Sequence, residues 1–185
     1  MFEFDPQRIN DLREFMLDEH ELDRSQPRRY VSPRLTSAGS RLLDELVFEA
    51  CQARNEIWLA RAIQPHLLER VPASTSSGFR KVPTNASTTL ADGIWNNLVC
   101  RSECRAARES GGLVEAYRAG MRREPRAESR ALLGRRFEPS VMLDALRADA
   151  IDPHGRMSPV PVGPNSGLSI RAMTPTLVGE GEKNG

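Results

Sequence analysis

The sequence has few of the residues that carry out common enzyme chemistry. Its 185 residues include only three histidines, His20, His66 and His154, and two lysines, Lys81 and Lys183. No histidine has a partner at a recognisable spacing, and the chain contains no glycine-rich phosphate loop, nucleophile elbow or zinc-binding helix motif. We therefore expect a non-enzymatic protein without a cofactor, with an enzyme of unrecognised type as the alternative.

Cysteine is also scarce, at three residues. Cys100 and Cys104 are one helical turn apart, but no second Cys or His pair follows at the spacing of a zinc site, so no metal is predicted. The first ten residues are acidic and lack the apolar segment of a signal peptide. No apolar run approaches the roughly 20 residues that span a membrane. These features predict a cytoplasmic protein with free thiols and no membrane partner.

The chain has almost no net charge, but its charges are unevenly distributed. The formal net charge is +1, so total charge alone does not indicate nucleic-acid binding. Residues 1–25 contain eight acidic residues against three arginines, a net charge of −5. Residues 118–136 contain seven arginines against two glutamates, a net charge of +5. Either these blocks bind each other within the fold, or the basic block meets an acidic partner.

The segment from Asn85 to Gly112 predicts one long helix around which the chain is organised. Asn85 or Ser87 can cap its first turn, because a short polar side chain there accepts a hydrogen bond from an unpaired amide. Gly111 can end it in the left-handed conformation. Gly93 costs about 1 kcal/mol relative to alanine in a helix. We expect that it allows a close approach of another backbone or marks a kink.

One face of this helix is apolar in its first half and cationic in its second half. Residues at spacings of three and four return to the same azimuth of a helix, which places six residues in one stripe. In one interpretation, the guanidinium groups extend beyond the core and bind phosphate, nucleic acid or an acidic protein. In the other, they lie at the core edge and pair with Glu103, Glu109 or the acidic N-terminal block. The stripe consists of Leu90, Ile94 and Leu98, followed by Arg101, Arg105 and Arg108.

The predicted binding surface combines this stripe with the basic segment that follows it. Asparagine and arginine are the side chains that read adenine and guanine edges with paired hydrogen bonds. No sequence fingerprint of a DNA-binding fold accompanies them. The candidate residues for binding nucleic acid or another anion are Asn97, Arg101, Arg105, Arg108, Arg118, Arg122 and Arg123.

Capping signals and apolar periodicity predict four further helices. Leu113–Tyr117 is expected to form a short strand, with a short helix as the alternative. Residues 73–84, rich in Ser, Thr, Gly and Pro, predict a flexible loop. Residues from 152 onward are rich in proline and glycine and offer little apolar surface. The four helices are predicted at 6–20, 37–53, 55–63 and 138–148.

These features predict a mainly α single domain of four or five helices over residues 1–150, with a short β element after the central helix. Residues 151–185 are expected to be a largely disordered tail. The predicted function is that of a small binding or regulatory module whose arginine surface meets an anionic partner, with nucleic acid as the first candidate. The alternative is an assembly or adaptor protein whose arginines meet an acidic protein surface or another copy of the chain, forming a homo-oligomer.

Overall fold

The computed structural model describes residues 2–26, 30–73, 78–120, 127–152 and 155–173. These residues form a small, mainly α domain, as predicted, with six α-helices and two small antiparallel sheets. The helices are α1 Pro6–Ser25, α2 Ser37–Ala53, α3 Glu56–Ile63, α4 Ala86–Ser110, α5 Ala127–Leu132 and α6 Pro139–Ile151. The strands are β1 Arg70–Pro72, β2 Phe79–Lys81, β3 Leu113–Arg118, β4 Arg136–Phe137 and β5 Leu168–Met173.

Four helices begin at the capping residues that the sequence indicates. The side chains of Asp5, Thr36, Asn55 and Glu138 each accept a hydrogen bond from an amide in the first turn of α1, α2, α3 and α6. Each bond satisfies one of the amides that a helix N-terminus leaves without an intrahelical partner. Asn85 holds the corresponding position of α4 but makes no such side-chain bond.

The central helix α4 connects two apolar clusters. Its first half contributes Trp95 and Leu98 to a cluster shared with α1, α2 and α3. Its second half contributes Cys104 and Ala107 to a cluster shared with α6, the larger sheet and the segment before β5. Fourteen of its 25 residues are buried, so the helix is enclosed on several sides. Gly111 ends it at a φ of 68°, a left-handed conformation that glycine adopts without a Cβ clash.

The β element predicted after the central helix is present and larger than expected. Strand β3 is the middle strand of a three-stranded antiparallel sheet in the order β4-β3-β5. Glu115 lies opposite Arg171 in the β3–β5 ladder, and its carboxylate accepts a 2.7 Å hydrogen bond from the guanidinium group of that residue. The strand interpretation of Leu113–Tyr117 is therefore confirmed over the helical one.

Part of the segment 151–185, expected to be a largely disordered tail, is packed in the structure. Residues 155–173 pack against the rest of the domain, and their last six residues form β5. The reason is that four apolar side chains in this segment enter the second cluster despite the intervening prolines and glycines. Residues 174–185, the remainder of the predicted tail, lie outside the described residues. The four buried side chains are Val160, Val162, Leu168 and Ile170.

The predicted loop at residues 73–84 also contains regular structure. Its Phe79–Lys81 segment pairs with Arg70–Pro72 to form a short antiparallel hairpin. Residues 74–77, which separate the two strands in the sequence, lie outside the described residues. Across the described ranges, no helix is both long and apolar enough to cross a membrane.

Candidate functional site

Arg101, a central candidate of the predicted arginine surface, is buried inside the domain. Its side chain is 1% exposed, and its two terminal nitrogens donate hydrogen bonds of 2.7 and 2.6 Å to the two carboxylate oxygens of Asp23. This geometry is the bidentate arrangement that guanidinium and carboxylate groups form best. The acidic block of α1 and the arginine stripe of α4 therefore meet within the chain at this point.

Glu19 is the centre of this buried charge network. Its side chain is fully buried and accepts hydrogen bonds of 3.0 and 2.6 Å from Arg147 of α6. It also lies 3.4 Å from a terminal nitrogen of Arg101 and 3.8 Å from one of Arg105. The hydrogen bonds to Glu19 raise the pKa of Arg147 above its ordinary value. One carboxylate thus ties α1 to both α4 and α6.

The remaining arginines of the stripe differ in their surroundings. Arg105 lies 2.9 Å from a carboxylate oxygen of Asp18 and 4.7 Å from the ring centre of Phe15, so its cation contacts both a charge and an aromatic face. Arg108 is exposed near the end of α4. The pKa of Glu138 is lowered mainly by hydrogen bonds from backbone amides, and the positive charge of Arg108 makes a smaller contribution.

The other candidates do not join Arg101 in one exposed surface. Asn97 is half-buried, and its amide nitrogen lies 3.5 Å from the carbonyl oxygen of Leu146. Arg118 is half-buried at the end of β3, and its two terminal nitrogens are buried without a hydrogen-bond acceptor among the described residues. Arg122 and Arg123 lie outside the described residues. Of the seven candidates, Asn97 and Arg101 line the same groove.

That groove has a volume of about 950 Å³. Its floor is the face of α4 from Thr89 to Arg101. One wall consists of the end of α1, residues 30–34 and α2. The opposite wall consists of residues 156–166 with the adjoining parts of α5 and α6. The predicted core stripe is thus partly a groove floor, since Leu90 and Ile94 are only half-buried.

Three arginines line this groove without an internal partner. Arg34, Arg80 and Arg156 form no side-chain ion pair or hydrogen bond with any described residue, and Arg80 and Arg156 are exposed. Two of the acids that line the groove are already engaged. Asp23 binds Arg101, and the carboxylate of Asp149 accepts hydrogen bonds from the backbone amides of Met157 and Ser158. Asp44 and Glu128 also line the groove, so its four acidic residues equal its four arginines in number, but three of those arginines have no side-chain partner among the described residues.

The wall formed by residues 156–166 is fixed closely against α4. The side-chain amide of Asn96 donates hydrogen bonds of 2.6 Å to the carbonyl of Val162 and 2.9 Å to that of Leu168. A Cβ atom at Gly93 would lie 3.1 Å from the ring of Pro164, which is closer than ordinary van der Waals contact. The predicted close approach at Gly93 is thus made by a proline ring, and glycine permits it.

The same face of α4 covers the open edge of the sheet. Asn96 binds the carbonyl of Leu168, and the carboxylate of Glu103 accepts a 2.8 Å hydrogen bond from the amide of Ala172. Glu103 also pairs with Arg8 of α1 at 2.9 and 2.5 Å. Because an uncovered edge strand can pair with another chain, these contacts protect β5 from such pairing. Local sequence patterns do not indicate this role, since the two contacts join residues 72 and 69 positions apart.

The three cysteines are buried structural residues in this fold. Burial raises the pKa of Cys51 and of Cys100 to about 12, and it also raises the pKa of Cys104. The thiols are therefore protonated at neutral pH and are poor nucleophiles and metal ligands. No cluster of metal-ligating side chains is present within the described ranges.

No family model, curated protein or solved structure matches this chain.

Proposed function

We propose that the protein is a small non-enzymatic binding module that holds an anionic partner in the groove over α4. The observation that carries this proposal is that Arg34, Arg80 and Arg156 line one groove and have no side-chain partner within the part of the chain that the structure describes. Guanidinium groups in this state retain their full capacity to bind carboxylate or phosphate oxygens. The arginines of the second half of α4, in contrast, are largely engaged by α1.

The state of the other polar groups in the groove supports binding over catalysis. Ring nitrogen Nε2 of His20 lies 3.0 Å from the backbone carbonyl of Asp44, and Asp23 is held by Arg101. An acid–base catalyst needs a titratable group directed at the substrate and free to exchange a proton. These groups instead serve to hold the walls of the groove together.

Two classes of partner present suitable anions, namely nucleic acid and acidic protein surfaces. Nucleic acid is supported by the β1–β2 hairpin, where Phe79 is 64% exposed and is followed directly by Arg80 and Lys81. An exposed aromatic ring beside cations is a suitable platform for stacked bases. The adaptor alternative is supported by the aliphatic floor of the groove. Self-association through α1 has less support, because Asp18, Glu19 and Asp23 already bind arginines of the same chain.

The test is a comparison of two variants with equal loss of charge. In the first, Arg34, Arg80 and Arg156 are each changed to Gln. In the matched control, three exposed arginines outside the groove are changed to Gln, namely Arg41, Arg61 and Arg135. Binding of labelled single-stranded DNA and of a labelled polyglutamate peptide is measured by fluorescence anisotropy at low and moderate salt.

The proposal predicts that the wild-type protein and the control bind at least one probe and that the groove variant loses this binding. Affinity for the DNA probe, where it binds, should fall with salt, because each contacted phosphate releases a counterion. Equal losses in the two variants, or failure of the wild-type protein to bind either probe, would contradict the proposal.

A further inference from the structure

We infer that the partner held in this groove is an acidic protein segment that carries apolar side chains, not nucleic acid. This inference rests on the proposed function and names the partner of the same groove. It follows from the floor, the rim and the rigid wall of the groove, each of which selects a different property of the partner.

The floor of the groove is aliphatic. Leu90 and Ile94 of α4 present half-buried side chains, flanked by Leu43 and Val47 of α2 and by Val162 of the opposite wall. Aliphatic side chains gain free energy by covering apolar groups of a partner. They provide no ring on which a base can stack, and a phosphate held against them would lose hydration without compensation. Among the groove-lining residues, the aromatic rings are the phenol of Tyr30 and the buried imidazole of His20.

The rim of the groove offers three arginines that have no side-chain partner among the described residues, beside the acidic Asp44, Glu128 and Asp149. Arg34 and Arg80 lie on the side of α2 and the hairpin, and Arg156 lies on the opposite wall. A segment lying along the floor would therefore meet a guanidinium group on each side. Side chains that alternate between apolar and acidic satisfy both the floor and the rim, as they do in a groove that accepts an amphipathic helix.

The fold already contains one contact of this kind. Helix α1 buries Leu12 and Met16 against the first apolar cluster and pairs Asp18 and Asp23 with arginines of α4. An acidic amphipathic segment is thus bound on the neighbouring face of the same helix. The groove offers a second apolar surface on α4, and three of the four arginines that line it, Arg34, Arg80 and Arg156, have no side-chain partner among the described residues.

The dimensions and rigidity of the groove suit a short segment. Thr89 and Arg101 are twelve positions apart on α4, and at 1.5 Å per residue the floor is about 18 Å long, or roughly three turns of a bound helix. The wall at residues 156–166 is held by Asn96 and by the contact between Gly93 and Pro164. A wall that is already in place lowers the ordering cost of binding.

Three probes test the inference on the unmodified protein. The first is a labelled peptide of about 12 residues, matched to the length of the floor, with leucines every third or fourth position and glutamates between them. The second peptide has the same glutamates with serine at each leucine position. The third probe is a single-stranded oligonucleotide with a similar number of negative charges. Dissociation constants are measured by anisotropy at one fixed salt concentration.

We expect the leucine peptide to bind at least about tenfold more tightly than the serine peptide or the oligonucleotide, as expected from burial of one or more leucine side chains. A variant with Leu90→Ser and Ile94→Ser should lose this advantage. The control variant, with Phe48→Ser and Val141→Ser, changes two exposed apolar residues outside the groove and should retain it. Circular dichroism verifies that both variants are folded.

Two results separate this inference from the proposed function. If the serine peptide or the oligonucleotide binds as tightly as the leucine peptide, and binding still requires Arg34, Arg80 and Arg156, the groove binds anions but the inference is overturned. If binding of every probe is independent of these arginines, both proposals are wrong. The comparison of the two peptides uses the wild-type protein, so it decides the inference even where the serine variant does not fold.

Discussion

The guanidinium group of Arg101 and the carboxylate of Asp23 form a bidentate pair inside the domain, although 78 positions separate the two residues in the sequence. This pair, with Glu19 beside it, joins the acidic N-terminal helix to the central helix. Part of the acidic block at residues 1–25 is therefore paired inside the fold with the arginine stripe of α4. The arginines available to a partner are consequently found elsewhere, around the groove.

Replacement of Glu19 by Gln should destabilise the protein strongly. Glu19 is fully buried and holds Arg147 with two hydrogen bonds. Removing one partner of a buried ion pair leaves a buried charge without compensation and costs about 3–5 kcal/mol. Urea denaturation monitored by circular dichroism measures the change. Glu21→Gln serves as the control, because the exposed pair of Glu21 with Arg24 contributes less than about 1 kcal/mol. Similar changes in the two variants would contradict a structural role for the network.

The double variant Arg101→Ala and Arg105→Ala should lose stability and helix content. The substitution leaves Glu19 and Asp23 with fewer cations beside them at the contact between α1 and α4. Far-ultraviolet circular dichroism and thermal unfolding provide the measurement. Arg108→Ala is the control, because Arg108 is exposed, and it should unfold as the wild-type protein does. A double variant that keeps its stability but loses binding would identify the second half of α4 as the binding surface instead.

The protein should lose stability in alkaline solution. Burial raises the pKa of Cys51, Cys100 and Tyr117 to about 12, so the folded state retains protons that the unfolded state releases near its lower, ordinary pKa values. The stability that these groups contribute is therefore fully present at pH values below their pKa in the unfolded state. It is lost as the pH rises towards their pKa in the folded state.

Urea midpoints measured between about pH 8 and pH 11 should fall as the pH rises through the thiol range. A disulfide-exchange reagent should also modify the native thiols much more slowly than those of the urea-unfolded chain, because only the thiolate reacts. Rapid labelling of all three thiols in the native protein would contradict their burial.

Gly93→Ala should not stabilise the protein, although it replaces glycine within a helix. Alanine gains about 1 kcal/mol in helix propensity, but the added Cβ would lie 3.1 Å from the ring of Pro164 and would displace the wall of the groove. In the double variant Gly93→Ala and Pro164→Ala, the added Cβ no longer meets the proline ring. The double variant should therefore be more stable than the single variant Pro164→Ala, by the gain in helix propensity. Equal effects of Gly93→Ala in both backgrounds, measured by urea denaturation, would show that the contact does not constrain the wall.

Local signals predicted the helices well, because each signal acts within a few residues. Asp5, Thr36, Asn55 and Glu138 cap helices at the positions where their side chains can reach the first free amides. The end of α4 at Gly111 follows in the same way from the conformational freedom of glycine.

The groove and the packed C-terminal segment depend on contacts between distant residues, and these are not visible in local patterns. Val162 and Ile170 lie in a stretch whose composition is typical of disorder, yet both are buried because α4 and α6 provide apolar surface for them. Helical spacing correctly placed Arg101 in line with Ile94. Helical spacing could not indicate that Arg101 lines a groove and is paired with Asp23. Nor could it indicate that the opposite wall of this groove comes from residues 156–166.

The most direct test of the central claim is amide hydrogen exchange of the wild-type protein with and without the acidic leucine peptide. The groove proposal predicts slower exchange in the segments that form its walls and rim, residues 30–34, 79–81 and 155–166, with little change at the C-terminal end of α4 and in β3. Protection confined to the end of α4 and to β3, or absent from the walls of the groove, would contradict the proposal that this groove holds the partner.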